Sequence, residues 1–69
     1  MHFTWEDGFT IRVTREKDAV LISANKAGLR SLANHLLTLA EETPPGHFHL
    51  DEYNSLEDNS TELIVELIE

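Results

Sequence analysis

The sequence of 69 residues contains no cysteine. This absence excludes disulfide bonds, a Cys-x-x-Cys redox motif and a zinc site with thiolate ligands. Long apolar runs are also missing: the longest, residues 19–22 and 63–65, fall far short of the about 20 residues that a membrane helix needs. The N-terminus has neither the basic region nor the apolar segment of a secretory signal. We therefore expect one small cytoplasmic domain, residues 1–69.

Lysine and arginine are absent from the C-terminal half of the chain. All five basic residues lie within positions 1–30, where four acidic residues leave that segment at +1. Residues 31–69 carry nine acidic residues and a charge of −9, within a total of −8 for the chain. Such a surface repels polyanions, which excludes nucleic acid and anionic membranes as partners and favours a basic protein.

Alternating apolar and polar residues predict two β-hairpins joined by one amphipathic helix. The predicted strands are residues 9–14, 19–24, 47–51 and 61–68. The helix is predicted over residues 26–42, with Asn25 as its N-cap. The fold class is therefore α+β in the order β-β-α-β-β, with a four-stranded, mainly antiparallel sheet and the helix packed on one face. Whether residues 2–6 form an extra strand stays open.

The helix has a wide apolar side that we expect to cover the sheet. This side consists of Leu29, Leu32, Ala33, Leu36, Leu37, Leu39 and Ala40. The opposite side, which includes Ser31 and His35, is expected to face solvent. Gly28, near the start of the helix, predicts a close approach to the sheet.

The strand pleat leaves the other face of the sheet open. That face would carry Thr10, Arg12, Thr14, His47, His49, Asp51, Glu62, Ile64, Glu66 and Ile68. A solvated face has no need of Ile64 and Ile68, so the face is interpreted either as a partner surface or as a plain solvated one. A homodimer through this face or through an edge strand is a further alternative. The acidic residues in and beside the following loop could meet a basic partner; they are Asp51, Glu52, Glu57, Asp58 and Glu62.

One arrangement resembles site chemistry, His47-x-His49-x-Asp51. Alternate positions on a strand put these side chains on one side, so a metal-binding module or a small metal-dependent catalyst is an alternative function. The motif lacks the spacing of zinc signatures, and the sequence supplies no nucleophile with an orienting base and no glycine-rich phosphate loop. We therefore predict a protein that is not an enzyme and has no cofactor or metal.

Several segments resemble a known family. They are residues 22–42, the His-Phe-His-Leu-Asp segment at 47–51, Asn-Ser-Leu-Glu at 54–57 and Ser-Thr-Glu-Leu-Ile-Val-Glu at 60–66. Together they resemble the immunity protein 32 family, small bacterial proteins linked to polymorphic toxin systems. The resemblance implies a cytoplasmic protein that binds and blocks a cognate toxin, without catalytic residues. The candidate contacts are Asp51, Glu52, Glu57, Asp58, Glu62, Ile64 and Glu66.

Overall fold

The computed structural model describes residues 2–69. Its elements are β1 (Ile11–Glu16), β2 (Ala19–Ala24), α1 (Lys26–Ala40), β3 (Gly46–Leu50) and β4 (Leu63–Leu67). The predicted α+β class and the order β-β-α-β-β are confirmed, and every predicted end lies within two residues of the observed one. Across this described part of the chain, no helix has the length and apolar character needed to cross a membrane.

The four strands form two separate antiparallel sheets, β1–β2 and β3–β4, in place of the single four-stranded sheet that was predicted. The backbone N–H groups of Glu57 and Thr61 donate to the carbonyls of Ile11 (2.9 Å) and Val13 (2.7 Å) on the free edge of β1. These two bonds are four residues apart in the loop but only two residues apart in β1. In a regular ladder the two separations are equal. Asn59, with a φ of 69°, lies between the two bonds and interrupts any strand there.

The core lies between the two hairpins and the helix. Its buried apolar side chains are Ile11, Val13, Leu39, Phe48, Leu50 and Leu56. Around them pack Phe3, Trp5, Phe9, Ala24, Leu32, Leu63, Val65 and Leu67. The alternation predicts that the strand residues opposite the open face point inward, and the structure confirms this for all of them: Phe9, Ile11, Val13, Phe48, Leu50, Leu63, Val65 and Leu67. Leu56 enters the core from the loop between β3 and β4.

The helix is rotated about its axis relative to the prediction. Its buried residues are Gly28, Ser31, His35 and Leu39. The predicted sheet-facing side is wrong for most of its members, since Leu29, Leu36 and Leu37 remain 53%, 45% and 64% exposed. The predicted solvent-facing placement of Ser31 and His35 is also wrong.

The N-terminal segment explains why polar residues of the helix are buried. Residues 2–6 form no strand; they lie along the helix instead. The backbone N–H of Glu6 donates to Ser31 Oγ at 2.8 Å, and the Glu6 carboxylate pairs with Arg30 Nε at 2.8 Å. A hydroxyl that pairs with a backbone amide can be buried at little cost, which makes Ser31 suitable at this contact.

His35 fills an aromatic cage formed by the N-terminal segment and β3. Its ring stands edge-on to Phe3 and Trp5, with centroid distances of 4.5 and 4.1 Å, and lies 5.7 Å from Phe48. Neither ring nitrogen has a hydrogen-bond partner among the described residues. Burial of the imidazole disfavours its charged form, so the pKa of His35 is lowered from 6.5.

Gly28 and Asn25 fix the start of the helix against β1 and β2. A Cβ at position 28 would collide with the carbonyl oxygen of Thr10 and would lie 3.0 Å from Ile11 Cγ1 and 3.1 Å from Ala24 Cβ. The Asn25 side-chain oxygen accepts hydrogen bonds from the backbone N–H of Gly28 (2.7 Å) and of Thr10 (3.0 Å). The predicted N-cap and the predicted close approach at Gly28 are both confirmed.

The Gly28→Ala variant is expected to be less stable than the parent. A glycine-to-alanine change in a helix normally stabilises by up to about 1 kcal/mol. Here the added methyl group strikes backbone, so we expect a loss of about 1–3 kcal/mol, the usual cost of overpacking. Urea denaturation measures the change. A gain in stability would show that the helix is not held this close. The difference between Asn34→Gly and Asn34→Ala, at a helix position outside both the Gly28 contact and the row of exposed leucines, gives the propensity effect alone.

The stability of the protein is expected to depend on pH through His35. In the unfolded chain His35 binds a proton as the pH drops below 6.5, whereas in the folded protein its lowered pKa keeps the imidazole neutral to lower pH. Protonation therefore favours the unfolded state, and the free energy of unfolding should fall as the pH drops below 6.5. The His35→Phe variant should lose this part of the pH dependence, since it has no group to protonate. Urea denaturation at pH 5, 6 and 7 tests this. An unchanged pH dependence in His35→Phe, or its loss in the exposed His47→Ala control, would contradict the assignment.

Candidate functional site

The outward side of the β3–β4 hairpin gathers half-exposed apolar and charged side chains. Antiparallel register sets His47 opposite Glu66 and His49 opposite Ile64. We call this surface the outer face; it consists of His47, His49, Glu62, Ile64, Glu66 and Ile68. The structure thus brings Glu62, Ile64 and Glu66, three of the predicted partner contacts, onto one surface.

Two isoleucines form the apolar part of the outer face. Ile64 is 55% exposed and Ile68 is 74% exposed. Beside them, the Glu62 carboxylate lies 3.1 Å from His49 Nδ1, with both side chains half exposed. Glu66 takes part in no ion pair within residues 2–69. The surface therefore offers two exposed isoleucines interleaved with negative charge, a combination found in protein-binding patches.

The loop between β3 and β4, residues 51–62, uses two of its predicted contact residues to hold its own shape. Asp51 Oδ1 accepts hydrogen bonds from the backbone N–H groups of Tyr53 (2.9 Å) and Asn54 (3.0 Å), an Asx turn. Glu52 Oε2 accepts from the backbone N–H of Asn59 at 2.9 Å. Both side chains remain accessible at the surface, but each is positioned by the loop backbone.

The remaining predicted contacts, Glu57 and Asp58, lie further along this loop. Glu57 is half-buried beside β1, where it lines a shallow depression together with Thr10, Arg12, Ser23 and Ala24. Asp58 is exposed on the loop. The seven predicted residues therefore divide into three on the outer face, two that shape the loop, one beside β1 and one exposed on the loop.

Tyr53 is a surface residue that the sequence reasoning missed. Its side chain is 90% exposed, at the tip of the turn that Asp51 caps. A signal was present, because a single aromatic residue stands here in a polar, acidic loop with no apolar alternation to draw it inward. Tyrosine is among the residues that contribute most to protein interfaces, since its ring buries a large area at small entropic cost.

The motif His47-x-His49-x-Asp51 does not assemble a metal site. The two imidazole rings lie close, with a centroid distance of 4.9 Å, but the Asp51 carboxylate points to the backbone of its own turn. Over residues 2–69, no group of three or more histidine, aspartate or glutamate side chains is placed to hold a metal ion. The metal-dependent alternative thus gains no support.

A second exposed apolar surface runs along the helix. We call it the leucine stripe; it consists of Leu29, Ala33, Leu36, Leu37 and Ala40, all of them exposed. These residues repeat at intervals of three and four, so they lie on one side of the helix. The sequence pattern identified this stripe but assigned it to the core.

Comparison with known proteins gives one finding. The family model for immunity protein 32 matches residues 19–68, which include β2, the helix, the outer face and the loop that carries Tyr53. No curated protein and no solved structure matches the chain. Since the match covers well over half of the sequence, the chain belongs to the immunity protein 32 family.

Proposed function

We propose that this protein is a non-enzymatic immunity protein that binds a cognate toxin in the bacterial cytoplasm and blocks its activity. The observation that carries the proposal is the family match over residues 19–68, because an immunity protein implies a protein partner such as a toxin. The charge of the chain indicates the charge of that partner. With a net charge of −8, the protein fits a basic toxin domain.

The outer face is the surface we assign to the toxin. Glu62, Ile64, Glu66 and Ile68 alternate along this side of β4 and its flanking residues, so a partner that buries the two exposed isoleucines also meets the two carboxylates. Interfaces of this kind gain affinity from the buried apolar side chains, while complementary charges speed encounter and select the partner. No lysine or arginine occurs in residues 31–69, so these carboxylates face no lysine or arginine from the same half of the chain.

The extent of the family match agrees with this placement. Every residue of the outer face and of the loop between β3 and β4 lies inside residues 19–68. Of the five basic residues, Arg12, Arg15 and Lys17 lie outside it, and Lys26 and Arg30 lie within it. The outer face with its isoleucines and carboxylates therefore belongs to the part of the chain that the family model covers.

The Glu62→Lys and Glu66→Lys variants are expected to weaken toxin binding. Each reversal replaces an attractive charge with a repulsive one against a basic surface, and we expect a loss of about tenfold or more in affinity, on the order of 1.4 kcal/mol. Calorimetry with the purified toxin domain measures the affinity, and survival of cells that express the toxin measures protection. Binding by the parent should also weaken as salt is raised.

The matched control for these reversals is Glu16→Lys. Glu16 is an exposed acidic residue at the end of β1, outside the matched residues. The Glu16→Lys variant changes the net charge by the same amount as each outer-face reversal, so it separates the loss of a local contact from a general electrostatic effect. If both outer-face reversals protect cells as well as the parent at physiological salt, the assigned surface is wrong.

The Tyr53→Ala variant is expected to bind the toxin less tightly without losing stability. A side chain that is 90% exposed contributes little to folding, so the free energy of unfolding should change by less than about 0.5 kcal/mol. Removal of a tyrosine that packs against the partner typically costs more than about 1 kcal/mol of binding. Calorimetry and urea denaturation on the same sample separate the two effects. Unaltered affinity would place Tyr53 outside the interface.

A further inference from the structure

We propose that a second copy of this chain packs on the leucine stripe, with the two helices antiparallel across a two-fold axis. This surface is distinct from the outer face that we assign to the toxin, and the inference holds or fails independently of toxin binding. It rests on the exposure of the stripe, the alternation of large and small residues in it, and the placement of charge at its two ends.

The stripe is too apolar and too continuous for an ordinary helix surface. Leu29, Leu36 and Leu37 are between 45% and 64% exposed, although the same helix buries Ser31 and His35. Leu29, Ala33, Leu36 and Ala40 follow one another at spacings of four, three and four, the pattern of a helix that packs lengthwise on another helix. Covering this row would bury the leucines that the fold leaves in solvent.

Large and small residues alternate in a way that suits an antiparallel copy. When two such helices are aligned about a point between Ala33 and Leu36, Leu36 of one copy lies opposite Ala33 of the other, and Leu29 lies opposite Ala40. Leu29 and Leu36 then each meet an alanine, so the two helix backbones can approach closely and these side chains interdigitate. A parallel alignment in register would set leucine against leucine and leave the alanines facing each other.

The charges at the ends of the helix point to the same arrangement. α1 begins with basic residues, Lys26 and Arg30, and has no acidic residue in its first turn and no basic residue in its last. It is followed by Glu41, its C-cap residue, and Glu42. This polarity is unfavourable within one chain, because cations sit at the positive end of the helix dipole and anions at the negative end.

In an antiparallel pair, the basic start of each helix lies beside the acidic end of the other helix. On a helical projection, Lys26, Arg30 and Glu41 lie on the same edge of the stripe. In the proposed pair, Glu41 of one copy falls opposite the first turn of the other helix, beside Lys26 and next to Arg30, which already pairs with Glu6 of its own chain. The two-fold axis repeats the contact. Lys26 has no ion-pair partner within the residues that the structure describes, and the pairing would supply one.

Sedimentation velocity of the full chain alone tests the proposal. Over concentrations from about 1 µM to 1 mM, where small interfaces dissociate, the parent should shift from monomer to dimer. Leu36→Glu should raise the dissociation constant at least tenfold, because it places a charge in the centre of the contact. The control is Ile68→Glu, the same kind of change at an exposed position on the outer face, which should leave the dimer intact.

Charge reversal provides a second test. Lys26→Glu and Glu41→Lys should each weaken the dimer severalfold, and the double variant should restore it. Each single reversal improves the charge placement along its own helix, so circular dichroism should show folded protein and weakening cannot be attributed to unfolding. A parent that stays monomeric throughout, a dimer lost in Ile68→Glu and kept in Leu36→Glu, or a double variant no better than the singles would overturn the proposal.

Discussion

The close contact between Gly28 and the first hairpin determines how the rest of the molecule is arranged. Because the helix approaches the carbonyl of Thr10 so closely that no side chain fits between them, its rotation about its own axis is fixed at that point. The residues that follow on the same side, Ser31, His35 and Leu39, must then face inward. The leucines at 29, 36 and 37 are turned to solvent as a direct consequence.

The N-terminal segment provides contacts for the polar side chains that this rotation buries. It gives Ser31 a backbone partner through Glu6, and it surrounds His35 with the rings of Phe3 and Trp5. The inward side of the helix is thus completed by residues that lie before β1 and outside the family match. Exposed apolar side chains remain on the outer face, on the leucine stripe and on β2, and the outer face and the leucine stripe share no residue.

Local patterns in the sequence were sufficient for the elements of the fold and for part of the site. Alternation located both hairpins, and the cap at Asn25 and the close approach at Gly28 followed from ordinary residue chemistry. Helix rotation could not be predicted in this way, because a hydrophobic pattern does not reveal that the residues before β1 cover Ser31 and His35. The single sheet failed because Asn59 and the unequal residue count beside β1 break the ladder that would have joined the hairpins.

In the candidate site, too, the sequence predicted some features and could not predict others. The pleat correctly grouped Glu62, Ile64 and Glu66, since alternation alone decides which side of a strand a residue takes. It could not show that Asp51 and Glu52 hold the loop, although an aspartate followed by a polar turn sequence is a recognised Asx-turn signal. Tyr53 was missed because apolar periodicity directs attention to residues that repeat, and Tyr53 stands alone.

The proposed toxin surface consists of the outer face and the loop between β3 and β4. It can be mapped by recording the amide chemical shifts of isotope-labelled protein while the toxin domain is added. The large shifts should fall on β3, β4 and the loop around Tyr53, with the amides of Leu29 to Ala40 little changed. Shifts concentrated on the helix or on β1 and β2, with β4 unaffected, would contradict it.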